Sequence, residues 1–401
     1  MNLFIDIAKV IQLVFYLYII TSVGVLFIFS FASLFKYRPR FTNDGKYRRI
    51  ALIIPAYNED VVIHEVIKSA GHQNYPKNRY DIIVVADHFY RETLDKLAKQ
   101  DIILLANDFE ISTKSRALNY AFRHIDNNYD IACILDADNI MDQGFLHDIN
   151  RSFASGFKVV QGHRTAKNLN TNFALLDAIS EEINNSIFRK GFRVIGFSSA
   201  LIGSAMAFDF KMFKTMMAEV EVVGGFDKEI EMQLAKKSIK VEYLPYTFVY
   251  DEKVQNAEVF TRQRRRWLSA QIHFFGKNFI PSVKSLFKEG NIEYFIRAMI
   301  YIQLPRVLLL AVLFLMVPLS LFFNPVNWTL AWCVALLLLI LTFVFAIPRK
   351  FYNFSFFKAV ITLPKGMFMM MISLISFRKG NKKFIHTKHT YNAFQIKKHK
   401  H

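Results

Sequence analysis

The sequence predicts an α/β protein whose doubly wound, mostly parallel sheet is flanked by transmembrane helices. Two observations lead to this prediction. Between residues 49 and 138, short continuous apolar runs alternate with helix-periodic segments, as expected for parallel strands buried between two layers of helices. Much longer apolar runs lie on both sides of this region, from Val10 to Phe35 and from Val307 to Ile347. Runs of that length are typical of membrane helices.

Residues 1–35 are predicted to be an N-terminal transmembrane helix, because no charged residue occurs from Val10 to Phe35. A cleaved signal peptide is the alternative, but the run is too long and has no clear small-residue cleavage site. The basic flank Lys36–Arg40 indicates the cytoplasmic side of a membrane. We therefore expect the N-terminus outside and the next domain, residues 36–293, in the cytosol.

A second membrane region is predicted for residues 294–350, as a helical hairpin with a short polar bend at 324–327. The apolar stretch 356–377 is interrupted by two lysines and a proline: Lys358, Pro364 and Lys365. We expect an interfacial helix there, and residues 351–401 then end in a basic cytosolic tail. The chain is thus expected to be a multi-pass protein of the cell (inner) membrane, in contact with its lipids.

The net charge of +18 is distributed unevenly. Residues 36–293 carry 36 basic and 32 acidic residues, whereas residues 294–401 carry 14 basic residues and no acidic ones. A basic excess among apolar segments is typical of contact with anionic lipid. No nucleic-acid-binding motif accompanies it, so no nucleic-acid partner is expected. The two cysteines, Cys133 and Cys333, indicate no disulfide.

The alternating region predicts four strands and three helices in order. The strands are Ala51–Pro55, Asp81–Ala86, Ile102–Leu105 and Ile131–Leu135, and the helices are Val61–Ala70, Glu92–Lys99 and Ala117–His124. A further strand, Val159–Gly162, and a helix, Phe173–Phe188, are expected beyond them. Neither GxGxxG nor GxxxxGK[ST] occurs after the first strand, which argues against a dinucleotide dehydrogenase and a P-loop enzyme.

Asp136 and Asp138 come directly after the most apolar of these strands. Alternation places the two side chains on one side, about 7 Å apart along the strand. Crevices outside the carboxyl ends of parallel strands are where open α/β sheets bind ligands. The pair therefore predicts a site for Mg²⁺ or Mn²⁺ carried by a diphosphate. The alternative is a solvated turn in which the Asp residues cap a helix.

Three later segments have both functional and structural interpretations. The small residues of Gly196–Phe208 allow close backbone approach to a ligand, or form a tightly packed loop. The acids after Gly225 could be functional, or could complement a helix dipole. Gln263–Trp267 sets three Arg beside a Trp, which suits diphosphate binding and sugar stacking. The alternative for this segment is a solvated basic helix face.

Taken in order, these residues resemble the membrane-integrated family 2 glycosyltransferases, which include cellulose, chitin, hyaluronan and poly-N-acetylglucosamine synthases. The resemblance covers residues 49–270 and the membrane segments beside them, and it implies a GT-A-type sheet domain. It rests on six motifs: PAYNE at Pro55–Glu59, VAD at Val85–Asp87, KSRALN at Lys114–Asn119, DAD at Asp136–Asp138, GFD at Gly225–Asp227 and QRRRW at Gln263–Trp267.

The resemblance implies a role for each motif. The residues expected at the nucleotide and its diphosphate are Ala56, Tyr57, Asn58, Glu59, Asp87, Lys114, Asp136, Gln263 and Arg266. Asp138, together with Asp136, is expected to bind the metal ion. Asp227 is expected to take the proton from the acceptor hydroxyl, and Phe226 stands where the family often has a second acid, so Glu229 is the substitute candidate. The residues expected at the acceptor are Trp267, Gly203 and Ser204.

The implied reaction is an inverting transfer from a nucleotide-sugar, by resemblance a UDP-sugar, to a growing β-linked polysaccharide. The alternative is a non-processive transferase that adds one sugar to a lipid-linked acceptor. Thr387 and Lys388 lie in a tail segment that resembles the gating loop of processive members. Three confident spans are few for an enclosed channel, so a homo-oligomer or an accessory subunit is a further expectation.

Two other classes of protein fit less well. A catalytically inactive, nucleotide-binding assembly partner would have lost Asp138, Asp227 or Trp267, and all three are present. A nucleotidyltransferase also uses Asp clusters on an α/β sheet, but the membrane segments and the missing glycine-rich triphosphate loop argue against it.

Overall fold

The computed structural model describes residues 2–220, 224–255, 257–323, 325–361 and 364, and its centre is an eight-stranded sheet. The strands are β1 (Ile50–Tyr57), β2 (Tyr80–Asp87), β3 (Ile103–Asn107), β4 (Ile131–Ile134), β5 (Ile140–Met141), β6 (Val159–Ala166), β7 (Met206–Asp209) and β8 (Val241–Asp251). Their order across the sheet is β3-β2-β1-β4-β7-β6-β8-β5.

The first half of the sheet is parallel and the second half is mixed. Strands β3, β2, β1 and β4 run parallel to one another, whereas β7 runs antiparallel to both of its neighbours, β4 and β6. Strand β8 is parallel to β6, and β5 is antiparallel to β8. The four strands predicted first are confirmed, as is the fifth, β6. The strands β7 and β8 were not predicted.

The helices of the described residues surround this sheet. They are α1 (Asn2–Ala32), α2 (Ile63–Gly71), α3 (Arg91–Leu97), α4 (Lys114–His124), α5 (Phe145–Ala154), α6 (Asn172–Asn184), α7 (Phe192–Ile195), α8 (Phe210–Ala218), α9 (Phe226–Lys236), α10 (Ala257–Glu289), α11 (Ile292–Ile300), α12 (Arg306–Phe323), α13 (Val326–Ala346) and α14 (Phe354–Val360). A π-helical segment, Asn185–Gly191, joins α6 to α7.

Two apolar layers of helices bury the central strands of the sheet on both faces. Helices α2 and α5 pack on one face, where their buried residues include Val66 and Ile149. Helices α4, α8 and α9 pack on the other face, where Leu118, Phe213 and Ile230 are completely buried. Apolar burial on both faces stabilises the parallel strands and leaves their polar ends at the edge.

The apolar helices form a separate cluster with α6. Helices α1 and α13 contain stretches long and apolar enough to cross a membrane, Asp6–Ala32 and Val326–Ala346, and α12 is a shorter apolar helix. The Ser30 hydroxyl on α1 donates to the Thr342 carbonyl on α13 at 2.8 Å, and the Ser186 hydroxyl donates to the Ala346 carbonyl at 2.7 Å. Helices α12 and α13 lie within the segment predicted as a hairpin, while their crossing of a membrane and their orientation stay predictions.

Only part of the predicted interfacial helix lies among the described residues. Helix α14 begins at Phe354 and ends at Val360, and the Asn353 side chain caps it by accepting from the Phe356 amide. The remainder of that segment, and the predicted contacts Thr387 and Lys388, lie outside the described residues.

Gly191 allows α1 to touch the π-helical segment directly. A Cβ atom at Gly191 would lie 2.0 Å from the carbonyl oxygen of Phe29 on α1, which is far inside contact distance. The Phe29 ring also stacks on Phe192, with ring centroids 3.9 Å apart. Any side chain at Gly191 therefore pushes the two backbones apart.

We expect Gly191→Ala to lower the free energy of unfolding by about 2 kcal/mol or more, because backbone on both sides resists the new methyl group. Gly276→Ala on α10 is the control, since a Cβ there meets nothing within 4 Å. That control should raise the stability by up to about 1 kcal/mol through helix propensity. Urea unfolding in detergent measures both, and equal midpoints would contradict the prediction.

Candidate functional site

The parallel strands bring the predicted motifs to one edge of the sheet. Strands β1, β2, β3 and β4 end at Tyr57, Asp87, Asn107 and Ile134, and parallel pairing sets these ends side by side. Asp136 follows two residues after β4. The carboxyl edge of such a sheet is where ligands bind, so the loops after these four strands form the candidate site.

The loops after β1 and β2 are tied together at Asp87. The Asn58 amide donates to the Asp87 carbonyl at 3.1 Å, and the buried Asp87 carboxylate accepts from the Phe109 amide at 3.1 Å. Asn58 and His88 both have positive φ, at 53° and 56°, which an Asn tolerates better than most residues. The predicted nucleotide loop, residues 56–59, therefore runs beside Asp87.

Sequence reasoning missed a group of possible metal ligands in this corner. One ligand atom from each of Asp87, His88 and Asp108 lies within 4.8 Å of the others. His88 Nδ1 is 2.6 Å from the Asp87 carboxylate, and the His88 amide donates to Asp108 Oδ1 at 3.0 Å. The signal in the sequence was weak, because the group depends on the register that pairs Asp87 of β2 with Asn107 of β3.

Four of the predicted residues meet at the loop before β7. The Lys114 ammonium group forms an ion pair with Asp136 and donates to the Gly203 carbonyl at 2.6 Å. The Asp136 amide donates to the Ser204 hydroxyl oxygen at 2.9 Å. The Ser204 hydroxyl donates in turn to the side-chain oxygen of Asn139. This small-residue loop therefore braces the backbone that carries the two aspartates.

Asp138 and Asp136 have different hydrogen-bond and ion-pair partners. Oδ1 of Asp138 accepts from the Asn139 side chain at 2.9 Å, and its Oδ2 accepts from the Glu252 amide at 3.1 Å. Both contacts come from neutral N–H groups, and each carboxylate oxygen can accept more than one bond. Asp136 instead faces two cations, Lys114 and Arg164. Binding of an oxygen-coordinated divalent ion by Asp138 therefore stays a prediction.

Arg164 on β6 contacts three carboxylates near the ends of the strands. Its Nη1 lies 4.0 Å from Asp136 Oδ2, its Nη2 donates to Glu181 Oε2 at 3.0 Å, and its Nε lies 3.4 Å from Asp251 Oδ2. Lys253 pairs with Asp251 at 2.8 Å. Sequence reasoning missed Arg164, which lies beyond the predicted end of β6 at Gly162, and Asp251, which ends the unpredicted strand β8.

The buried charges in this group shift their pKa values in opposite directions. Burial raises the pKa of Asp251 to about 6, and the cations of Lys253 and Arg164 only partly offset this effect. Burial also acts to raise the pKa of Glu181, but Arg164, Lys253 and Arg189 together hold that pKa well below its ordinary value. Glu181 is thus ionised at neutral pH, whereas Asp251 has a pKa of about 6, close to neutral pH.

Asp227 lies near Gly203, whose carbonyl oxygen accepts from Lys114. It stands in the first turn of α9, after Gly225, whose positive φ of 75° turns the chain into the helix. A Cβ atom at Gly203 would be 4.0 Å from Asp227 Oδ2. Glu229, the candidate for a second carboxylate, binds Lys277 of α10 with both oxygens at 2.8 Å. Glu229 therefore already forms an ion pair with a lysine in this structure.

The QRRRW motif lies on α10. The Arg264 guanidinium group is 4.4 Å from the centroid of the Trp267 ring and donates to Asp177 Oδ1 at 2.9 Å. Trp267 keeps 37% of its surface exposed, which leaves it available for stacking. The side-chain oxygen of Gln263 is enclosed and has no hydrogen-bond partner among the described residues. Arg266 stands one residue before Trp267 on the same helix.

The mixed, mainly parallel sheet, with its candidate site at the ends of the parallel strands, is typical of the GT-A fold. Residues 48–270 match the sequence family described as glycosyltransferase like family 2. This match covers more than half of the chain, and the chain belongs to that family.

Two curated relatives are bacterial. The chain is 27% identical over 248 residues to a probable glycosyltransferase, YdaM, from Bacillus subtilis strain 168, covering 56% of each chain. It is 26% identical over 246 residues to the beta-monoglucosyldiacylglycerol synthase of Synechocystis, covering 57% of this chain and 50% of the relative. The chain thus spans about half the length of the curated relatives it matches.

A solved structure shares the fold over most of its length. It is the mannosyltransferase PcManGT from Pyrobaculum calidifontis, in complex with GDP-Man and Mn²⁺. The two chains superpose with a TM-score of 0.56 at 16% identity, covering 90% of this chain and 95% of the other. This similarity supports the sheet architecture.

Ionisation of Asp251 should make the metal-free protein less stable as the pH rises. Its pKa is about 6 in the folded protein and about 3.8 in an unfolded chain. At a pH between these two values, the carboxyl group is protonated in the folded protein and ionised in the unfolded chain. The unfolding free energy of the wild type, minus that of Asp251→Asn, should therefore fall from about pH 4 to about pH 6. Urea unfolding at several pH values measures this difference. A difference that stays constant or rises would contradict the prediction.

Proposed function

We propose that this protein is an inverting glycosyltransferase that moves a sugar from a UDP-sugar to an acceptor at a membrane. One observation carries the proposal: in a family 2 chain, Asp136, Lys114 and Asp227 converge around Gly203 beside Asp138. This arrangement supplies cations and a candidate metal ligand on one side, and a carboxylate for the acceptor on the other.

The donor nucleotide is proposed to bind at the loops after β1 and β2. Asp87 and residues 56–59 would contact the base and ribose, while Lys114 and Asp136 would lie at the ribose and diphosphate. Gln263 and Arg266 would hold the diphosphate from α10. A Mg²⁺ or Mn²⁺ ion held by Asp138, with Asp136 nearby, would neutralise the departing nucleoside diphosphate.

Asp227 is proposed to be the general base. The acceptor hydroxyl oxygen attacks the sugar C1, the bond from C1 to the diphosphate oxygen breaks, and the hydroxyl proton passes to the Asp227 carboxylate. One displacement inverts the anomeric centre, so an α-linked donor gives a β-linked product. Gly203 and Ser204 would line the acceptor path, with Trp267 stacked beneath the acceptor sugar.

The acceptor is proposed to be a growing β-linked polysaccharide, extended at the inner membrane. The catalytic domain, residues 36–293, would then lie in the cytosol, with the segments 1–35, 294–350 and 351–401 at the membrane. A second candidate is the addition of one sugar to a lipid acceptor. The name of the Synechocystis relative, a synthase of a monoglucosyl lipid, favours this candidate.

The donor and the metal dependence can be tested together. The purified protein in nanodiscs is assayed for nucleotide release across a panel of UDP- and GDP-sugars, with Mg²⁺, with Mn²⁺ and with a chelator. We expect one UDP-sugar to be used, and chelator or Asp138→Asn to abolish release. Product sizing then separates polymer from single addition. Full activity in chelator would contradict the metal assignment.

Asp227→Asn should lower the transfer rate by about 10²-fold or more while leaving UDP binding within about twofold, because general base catalysis is lost without loss of donor contacts. The matched control is Asp95→Asn, which changes an exposed carboxylate on α3 and should behave as wild type. Steady-state rates and UDP titration measure both variants. An Asp227→Asn protein with wild-type turnover would overturn the assignment of the base.

A further inference from the structure

Gln161 on β6 is a completely buried residue whose side chain binds the backbone of residues 202–205, the loop before β7. Its Nε2 donates to the carbonyl oxygens of Ser204 at 3.0 Å and Ala205 at 3.2 Å. Its Oε1 accepts from the Ile202 amide at 3.2 Å. Acceptors facing the nitrogen and a donor facing the oxygen fix the orientation of the side-chain amide. One side chain thus contacts both ends of this loop.

The loop before β7 has an unusual backbone conformation. Gly203 has a φ of 86°, and Ala205 has a φ of 53° although it carries a Cβ atom. Such a conformation is unfavourable for a residue other than Gly and persists only where the surroundings hold it. Strand β6 lies close enough to do so, because the Gly162 amide donates to the Ala205 carbonyl at 2.7 Å. Gln161 and Gly162 therefore hold the loop in this shape.

The same loop contacts residues of the proposed catalytic site. The Gly203 carbonyl accepts from the Lys114 ammonium group at 2.6 Å, and the Ser204 hydroxyl oxygen accepts from the Asp136 amide at 2.9 Å. A Cβ atom at Gly203 would lie 4.0 Å from Asp227 Oδ2. The loop thus lies between the residues proposed for the donor diphosphate and the proposed general base. Its position sets the distance between these two groups.

We propose that Gln161 is a positioning residue of the transfer reaction, which holds the loop before β7 between Lys114 and Asp227. Because Gln161 is completely buried, it acts through the loop and does not touch a substrate. A misplacement of reacting groups by about 1 Å can lower a rate by about 10²-fold. Loss of Gln161 should therefore slow transfer more than it weakens nucleotide binding. This inference rests on the proposed function, because it names a residue that positions groups of the same site.

Two variants and a matched control test the role of Gln161. Gln161→Met keeps the length of the side chain and removes its hydrogen bonds. Gln161→Glu keeps an oxygen that can accept from Ile202, and it can donate to a loop carbonyl only when its carboxyl group is protonated. The control is Gln73→Met, since Gln73 is also a buried glutamine, which donates to the Asp142 carbonyl at 3.0 Å and accepts from the Leu146 amide at 3.2 Å.

Turnover and UDP affinity are measured in nanodiscs with the UDP-sugar that the wild type uses. We expect Gln161→Met to lower turnover by about tenfold or more and to change UDP affinity by no more than about threefold. Gln73→Met should keep wild-type turnover. The turnover of Gln161→Glu relative to wild type should fall as the pH rises, because ionisation of the new carboxyl group removes its donor and repels the carbonyl oxygens.

Hydrogen exchange of the peptide that contains residues 202–205, followed by mass spectrometry, needs no activity. Exchange should be faster in Gln161→Met than in the wild type and unchanged in Gln73→Met. Unchanged exchange in Gln161→Met, or equal losses of turnover in Gln161→Met and Gln73→Met, would overturn the inference. A loss of UDP affinity as large as the loss of turnover would overturn it too. Faster exchange in Gln161→Met, with a wild type that uses no donor, would count against the proposed function alone.

Discussion

Arg164 joins three carboxylates that belong to three parts of the fold: Asp136 after β4, Glu181 on α6 and Asp251 at the end of β8. Only 15% of the arginine side chain is exposed, so its charge needs these partners, and their positions become fixed relative to one another. The backbone after Asp251 in turn holds Asp138, through the Glu252 amide. The geometry of both aspartates at the strand edge therefore depends on β6, β8 and α6 together.

Helix α6 extends this dependence to the apolar helices. Beside Glu181, Glu182 binds Lys350, which follows α13, at 3.0 Å. Ser180 contacts Arg306 at the start of α12, and Asp177 holds Arg264 of the QRRRW helix at 2.9 Å. Helix α6 thus contacts the sheet edge through Glu181, the QRRRW helix through Asp177 and both ends of the hairpin through Ser180 and Glu182. Helix α6 consequently connects the sheet domain with the apolar helices.

Local sequence patterns predicted the parallel half of the sheet well, because strands buried on both faces are short apolar runs with polar ends. Strand β7 was missed because Met206–Asp209 follows a stretch of small residues that is typical of a loop. Strand β8 was missed because Pro245 interrupts it, and its pairing with β6 contains an irregularity at Gly162 and His163. Both missed strands belong to the mixed half, whose antiparallel neighbours come from distant parts of the chain.

The sequence by itself determined the family, the strand edge as the candidate site and the residue types available there, since motifs in order and apolar runs are local properties. Lys114, Asp136, Gly203, Ser204 and Asp227 were all named from it, and their roles stay predictions. Only the tertiary structure decided that Lys277 pairs with Glu229 and that Arg164 lies beside Asp136. These pairings join residues 48 and 28 positions apart, and the packing of whole helices and strands, which no local pattern encodes, brings them together.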